Sequence, residues 1–324
     1  MTAHYLGRKV VQAFVTICAI LVLNFLMFRM MPGSPDRVIK NPNLTEETRA
    51  AMRARWGLDK DLFPDQVVAY VQATATGDLG YSIFYRGQPV TDVLAASVGP
   101  TILLVGLAEI FAIIGGLAIG AYAGWKRGGK TDSIGTGASL ILYSMPYFVI
   151  GMPLIIVFAA GLGWFPTSGM STPGMSRQPL FEQAWDLGSH LVLPLVAVTL
   201  GLLGSYSILM RSSIIDTRSE DYITTARAKG LADGRILRSH AFPNALLPMV
   251  TLIAINLGYV IAGAITAEIV FSWPGLGTLT IHALSARDYP VLQGFILFIA
   301  IMYAFINLLV DIAYGLIDPR VRLS

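Results

Sequence analysis

Six stretches of this chain stay apolar over a length that matches the hydrocarbon core of a bilayer: 10–31, 98–124, 134–162, 190–210, 246–271 and 291–317. A helix needs about 20 mostly apolar residues to cross that core. Inside it, backbone polar groups can be satisfied only within helices or closed barrels. Only 13% of the 324 residues are charged, against about 25% in a soluble domain. These runs predict an all-α integral membrane protein with six transmembrane helices. The first run follows Arg8 and Lys9, but it is too long for a signal peptide and no small-x-small cleavage site follows, so it reads as a retained helix.

Lysine and arginine in short loops set the orientation. With the N-terminus inside, the inner segments hold Arg8 and Lys9, then Lys126, Arg127 and Lys130, then Arg211, Arg218, Arg227, Lys229, Arg235 and Arg238, and finally Arg320 and Arg322. The two short outer loops hold only Arg177 and Arg287. The long loop 32–95 is largely exempt from the rule. Both termini are therefore expected inside, in a multi-pass membrane protein. The net charge is only +3 and the basic residues form no single patch, which argues against nucleic acid as a partner. One cysteine, Cys18, and four scattered histidines offer neither a disulfide framework nor metal-ligand spacing.

The organisation follows from these spans. Residues 1–96 hold the first helix and a long extracytoplasmic segment, 97–317 hold a five-helix core with a polar loop at 211–248, and 318–324 form an inner tail. Within the long segment, Thr45 opens one expected helix, Asp65–Thr74 form a second, and GDLGYSI (77–83) turns back to the membrane. That segment reads either as a solvated cap or as a docking surface for something outside. In the second span, Ala108, Ala112, Gly116, Gly120 and Gly124 recur every four residues, a small-residue stripe that lets another helix of the bundle approach closely. Pro146 in YSMPYF (143–148) should kink or break the third span. Trp273 and Tyr289 fit interfacial anchors.

Acids within spans are costly, at about 3 kcal/mol or more near the centre, so they face the bundle or a cavity. Glu109 and Glu268 are the two central ones. Each either lines a pathway or holds helices together. Tyr143, Tyr206, Asn256 and Tyr259 are the other polar residues placed to line a pathway. Asp311 lies near the inner end of its span.

The polar insert 211–248 is the distinctive feature. Thr217 with Glu220 makes a capping-box pattern, Tyr222, Ile223, Ala226 and Gly230 follow helical spacing, and Gly230 suits a helix C-terminus. Asp233 is placed to cap a second helix, which Pro243 should end. The insert resembles the EAA loop of type I ABC importer permeases. With Gly230 on the motif glycine, Thr224, Thr225 and Ala226 fall on E-A-A, His240 on the isoleucine, and Phe242 and Pro243 on leucine-proline. The acid and first alanine of the motif are replaced. TARAKGL, NALLP, FSWPGLG, ARDYPVLQG, GDLG, MPGSPD and the terminal DPRVRL resemble the B-type permease subunit of oligopeptide and dipeptide importers, over nearly the whole chain.

That resemblance implies a MetI-like bundle with a coupling helix, without an activity or cofactor of its own. It implies a second, C-type permease subunit, one or two cytoplasmic ABC ATPases that use ATP and magnesium, and an extracytoplasmic substrate-binding protein. Short peptides are the implied cargo, with nickel or glutathione as the alternative within the same branch. Tyr222, Thr224, Thr225, Ala226, Lys229, Gly230, His240 and Pro243 are the implied coupling residues. An ion-coupled carrier using the intramembrane acids is the competing reading outside the family. GWKRGGKT (124–131) matches the phosphate-loop pattern, but that motif works between a strand and a helix of a soluble domain, and here it joins two spans.

Overall fold

The computed structural model describes residues 3–30, 45–47, 50, 65–260 and 265–317. Every regular element among them is helical. In chain order these are α1 (Ala3–Met30), α2 (Val67–Ala75), α3 (Val90–Trp125), α4 (Lys130–Ser144), α5 (Tyr147–Leu154), α6 (Leu180–Arg218), α7 (Asp221–Ala228), α8 (Asp233–Ile236), α9 (Phe242–Val260), α10 (Ile265–Val270), α11 (Leu276–Ala286) and α12 (Tyr289–Ile317). Most of the helix expected from Thr45, the MPGSPD segment and the inner tail lie outside the described residues.

Among the described residues, four helices are long and apolar enough to cross a bilayer: Gly7–Phe28, Val90–Trp125, Leu180–Arg218 and Tyr289–Leu308. The third span, expected to kink or break at Pro146, is a broken pair, α4 and α5 with its π-helical extension, bent by 101°. The cause is Pro146: the preceding Met145 takes an extended backbone (φ −88, ψ 124) because the proline ring disfavours the helical region before it. The run 246–271 is divided between α9 and α10, with 261–264 outside the described residues. Many apolar side chains on these helices point outward, Phe14 at 66% and Ile114 at 63% exposure among them, as lipid-facing positions require.

The chain forms two compact units, Met1–Pro100 with Gly275–Ser324, and Thr101–Pro274. In the first unit, α1 packs on α12, and Asn24 Nδ2 donates to Tyr70 Oη (3.2 Å) and to the Gln293 carbonyl (3.0 Å). The GDLGYSI turn is held by Asp288, which is fully buried. Its Oδ2 accepts from Ser82 Oγ (2.5 Å) and from the backbone N–H groups of Ile83 (3.0 Å) and Phe84 (2.9 Å). Arg287, in the left-handed conformation (φ 55), makes the sharp corner that aims Asp288 inward.

In the second unit, the 39-residue α6 is the central element. The small-residue stripe of α3 lies against it. A Cβ on Gly116 would approach the Leu203 carbonyl to 3.0 Å, one on Gly120 would lie 2.8 Å from Met210 Cβ, and one on Gly124 would lie 2.7 Å from the Arg211 carbonyl. Elsewhere on α6, Gly204 meets the Ser139 carbonyl and the Tyr143 backbone of α4 with the same lack of space. Trp273, expected at the membrane interface, is instead fully buried, packed with Leu104, Ala108, Val198 and Ala267. An indole can sit there because its bulk fills the gap that small residues leave.

Gly120→Leu should therefore force α3 and α6 apart, a clash worth about 1–3 kcal/mol or more. Gly137→Ala, where an added methyl meets nothing within 4 Å, should leave stability unchanged or slightly raised. Thermal unfolding of the two variants in detergent checks the contrast.

Candidate functional site

Two places concentrate polar groups in the second unit: the insert between α6 and α9, and a relay inside the helices. The insert departs from its expected capping. Helix α6 runs on to Arg218, so Thr217 is buried within it and donates to the Ser213 carbonyl (2.7 Å). The N-cap of α7 is Glu220, in extended conformation and without a side-chain cap bond. The capping box does not form, because the apolar face of Ile214 and Met210 continues α6 past the point where the pattern starts.

The C-terminus of α7 forms as expected. Gly230 is left-handed (φ 77), its N–H donates to the Arg227 carbonyl (2.9 Å), and Leu231 N–H donates to the Ala226 carbonyl (3.3 Å). This paired closure is the Schellman arrangement, which glycine adopts without a Cβ penalty. Ile223 and Ala226 point inward onto Ile214, Ile236, Ala241 and Met249. Tyr222, Thr224, Thr225, Lys229 and Gly230 form the outer surface. Ala226 thus supports that surface from beneath instead of contributing to it. Burial and the neighbouring Glu220 carboxylate push the Tyr222 phenol up, opposed by a hydrogen bond with Thr217, so the surface carries a neutral hydroxyl there.

Asp233 is the first residue of α8, whose N-cap is Ala232, so Asp233 caps through no side-chain bond. It lies 3.7 Å from Arg227 in an exposed pair. Pro243 does not end the second helix. The backbone stays helical from α8 through a π turn, Leu237–Ala241, directly into α9. The widened turn makes room for the proline ring and its missing N–H. Asn244 Nδ2 takes up the His240 carbonyl (2.7 Å). His240 is partly buried and Pro243 exposed.

Two contacts that sequence reading missed tie this insert to the spans. The guanidinium groups of Arg218 and Arg227 each lie 5.6 Å from the Trp125 ring, and Arg218 Nη1 also donates to the Trp125 carbonyl (2.8 Å). Cation–π contacts of this kind are worth about 0.5–1 kcal/mol when exposed. The aromatic at the end of an apolar run, beside a basic cluster, was the available signal. Asp132 is the second. It accepts from Arg211 Nε (2.5 Å) and Nη2 (2.9 Å), Gly128 N–H (2.9 Å) and Thr136 Oγ1 (3.2 Å). Its partner Arg211 is 79 residues away, so no local pattern announces it. In the phosphate-loop lookalike, a carboxylate thus occupies the Gly128 N–H, and a helix stands on each side where a strand should precede.

Inside the helices, Glu109 is 2% exposed and accepts from Tyr206 Oη, itself fully buried. Asn256 Nδ2 donates to Tyr206 Oη at 2.9 Å. Among the described residues, Glu109 Oε2 has no hydrogen-bond partner. Asn256 and Tyr143 line a half-open cavity of about 510 Å³ at the Pro146 break. Glu109 and Tyr206 stand behind its wall. Glu268 is elsewhere, fully buried and accepting from Thr101 Oγ1 (2.7 Å). The Tyr259 and Asp311 side chains fall outside the described ones. Among the described residues, no group of three His, Cys, Asp or Glu side chains is placed to hold a metal ion.

Residues 116–323 match the family model of the binding-protein-dependent transport system inner membrane component. The chain belongs to that family. It is accordingly a transmembrane permease of the inner membrane. A probable peptide ABC transporter permease, y4tP of Sinorhizobium fredii, is 37% identical over 318 residues, covering 98% of this chain and 99% of the relative. The glutathione transport system permease GsiC of Escherichia coli is 34% identical over 319 residues, covering 98% and 99%. An inward-facing structure of the MetNI methionine ABC transporter shares the fold, with a TM-score of 0.56 at 17% identity over 70% of this permease and 97% of that chain.

Asp132→Ala should lower the thermal stability of the permease, because it leaves the half-buried Arg211 without its bidentate partner; the loss should be about 2–3 kcal/mol. Lys130→Ala, by contrast, should leave stability unchanged. Thermal unfolding of the two purified variants checks this.

Proposed function

We propose that this permease carries short peptides inward as one half of an ABC importer, driven by separate ATPases that press on the outer surface of α7. The observation that carries the proposal is the split character of α7. Its inner face is locked into the bundle, and its outer face is a small, uncharged ledge of Thr224, Thr225 and Gly230 flanked by Tyr222 and Lys229. A ledge of that kind suits close docking of a second protein, and motion imposed on it passes to α3 through Arg227 and Trp125. The peptide cargo is supported by full-length relatives named as peptide permeases. Glutathione is the second reading, favoured by GsiC; it is itself peptide-like. On this proposal the permease catalyses nothing, and ATP with magnesium is bound by the partners. A second, C-type permease, one or two ATPases and an extracytoplasmic binding protein complete the machine.

Purification of the tagged permease from its native membrane, with mass spectrometry, should recover the second permease and the ATPases. A clean homo-oligomer after crosslinking would instead favour an ion-coupled carrier. Thr225→Glu should insert normally yet reduce substrate-stimulated ATP hydrolysis by more than tenfold. Gly230→Glu should do the same, and Thr225→Glu separates lost docking from the backbone strain that any side chain at φ 77 incurs. Trp125→Ala should keep the ATPases bound but weaken stimulation. Normal stimulated hydrolysis in all three variants would remove the docking assignment.

A further inference from the structure

The relay Glu109–Tyr206–Asn256 has a fixed hydrogen-bond direction, and that direction decides what its outer end can recognise. A tyrosine hydroxyl has one hydrogen. Here it is committed to Glu109, deep in the bundle. Tyr206 Oη can then only accept from Asn256, and it does so from Nδ2. The Asn256 amide is thereby held in one of its two flipped orientations. It retains a carbonyl oxygen and one amide hydrogen. Asn256 is also the residue of the relay that reaches the 510 Å³ cavity, beside Tyr143, Pro146, Tyr147 and Ser205. The Ser205 hydroxyl is already spent on the Leu202 carbonyl (2.7 Å), and much of the remaining wall is apolar, including Met145, Leu202 and Leu252.

We propose that this cavity is a peptide subsite in which Asn256 pairs with the backbone of one residue of the cargo, its Oδ1 accepting that residue's N–H and its remaining Nδ2 hydrogen donating to the same residue's C=O. One donor and one acceptor, rigidly presented together, match the pair that every residue of a peptide backbone carries. The walls carry no charged group: Met145, Leu202 and Leu252 beside Tyr143, Tyr147 and Thr266 accept side chains without selecting them by charge. The subsite therefore reads the backbone and ignores side-chain charge, which is what a carrier of varied short peptides requires. Tyr206 is a positioning residue here, and Glu109 sets the polarity of the relay without touching cargo. This inference rests on the peptide-import reading.

The test uses the full transporter in proteoliposomes, with the binding protein and peptide both saturating, so that the rate reports steps after delivery. Trialanine is compared with two analogues in which each amide N–H in turn is replaced by an ester oxygen. For the wild type, one of the two analogues should be carried about tenfold more slowly than trialanine, the scale of one lost hydrogen bond that leaves its partner unsatisfied. Asn256→Leu should carry trialanine and that analogue at the same reduced rate, with its ATPases still bound. Equal rates for all three cargoes in the wild type would overturn the subsite whatever the variant does. A rate that falls on acetylating the peptide N-terminus, with ester replacement harmless, would overturn it in favour of an ammonium site. No uptake of any peptide by the wild-type transporter would instead remove the importer reading itself.

Discussion

The second unit depends on how closely α3 approaches α6. In lipid, helices gain little from hiding apolar surface, so association rests on packing and on polar contacts between backbones that come near each other. Gly116, Gly120 and Gly124 supply that nearness: each faces a carbonyl or a Cβ of α6 with no space for a side chain. Two consequences follow. Glu109, two turns before Gly116, is brought within hydrogen-bond reach of Tyr206. Trp125, one residue after Gly124, is brought beside Arg218. The same helix pair thus positions the intramembrane relay near one end and the support of the insert at the other.

Polar groups in the bundle are spent on structure before they are offered to a ligand. Glu268 is occupied by Thr101, Ser139 by Ser207, and Asp132 by Arg211 and two further donors. Against that background the outer end of Asn256 stands out, since its burial is partial and its remaining valences meet a cavity. The insert follows the same logic in reverse: the buried face of α7 is apolar, and its Thr224, Thr225 and Gly230 face away from the bundle.

Much of this was legible in the sequence, for reasons that differ by element. The spans were readable because bilayer thickness sets a length that few other structures need. The glycine stripe and the Gly230 closure were readable because each depends on the absence of a Cβ at a fixed spacing. What failed were inferences about where helices stop. Thr217 and Pro243 carry ordinary start and stop signals, yet tertiary packing of Ile214 on one side, and a π turn on the other, carried the backbone through both. Trp273 was misplaced because an indole satisfies an interface and a tight core equally well. The partners Asp132–Arg211 and Glu109–Tyr206 were out of reach, since their pairing exists only once helices 79 and 97 residues apart are side by side.

The uninterrupted backbone from Asp233 to Val260 has a mechanical meaning. At a rise of about 1.5 Å per residue, the 20 residues between Ile236 and Asn256 span roughly 30 Å, the depth of a bilayer core. Helical continuity through the π turn and past Pro248 joins the insert and the amide at position 256 in one segment, so a tilt of the insert is also a movement of the cavity wall.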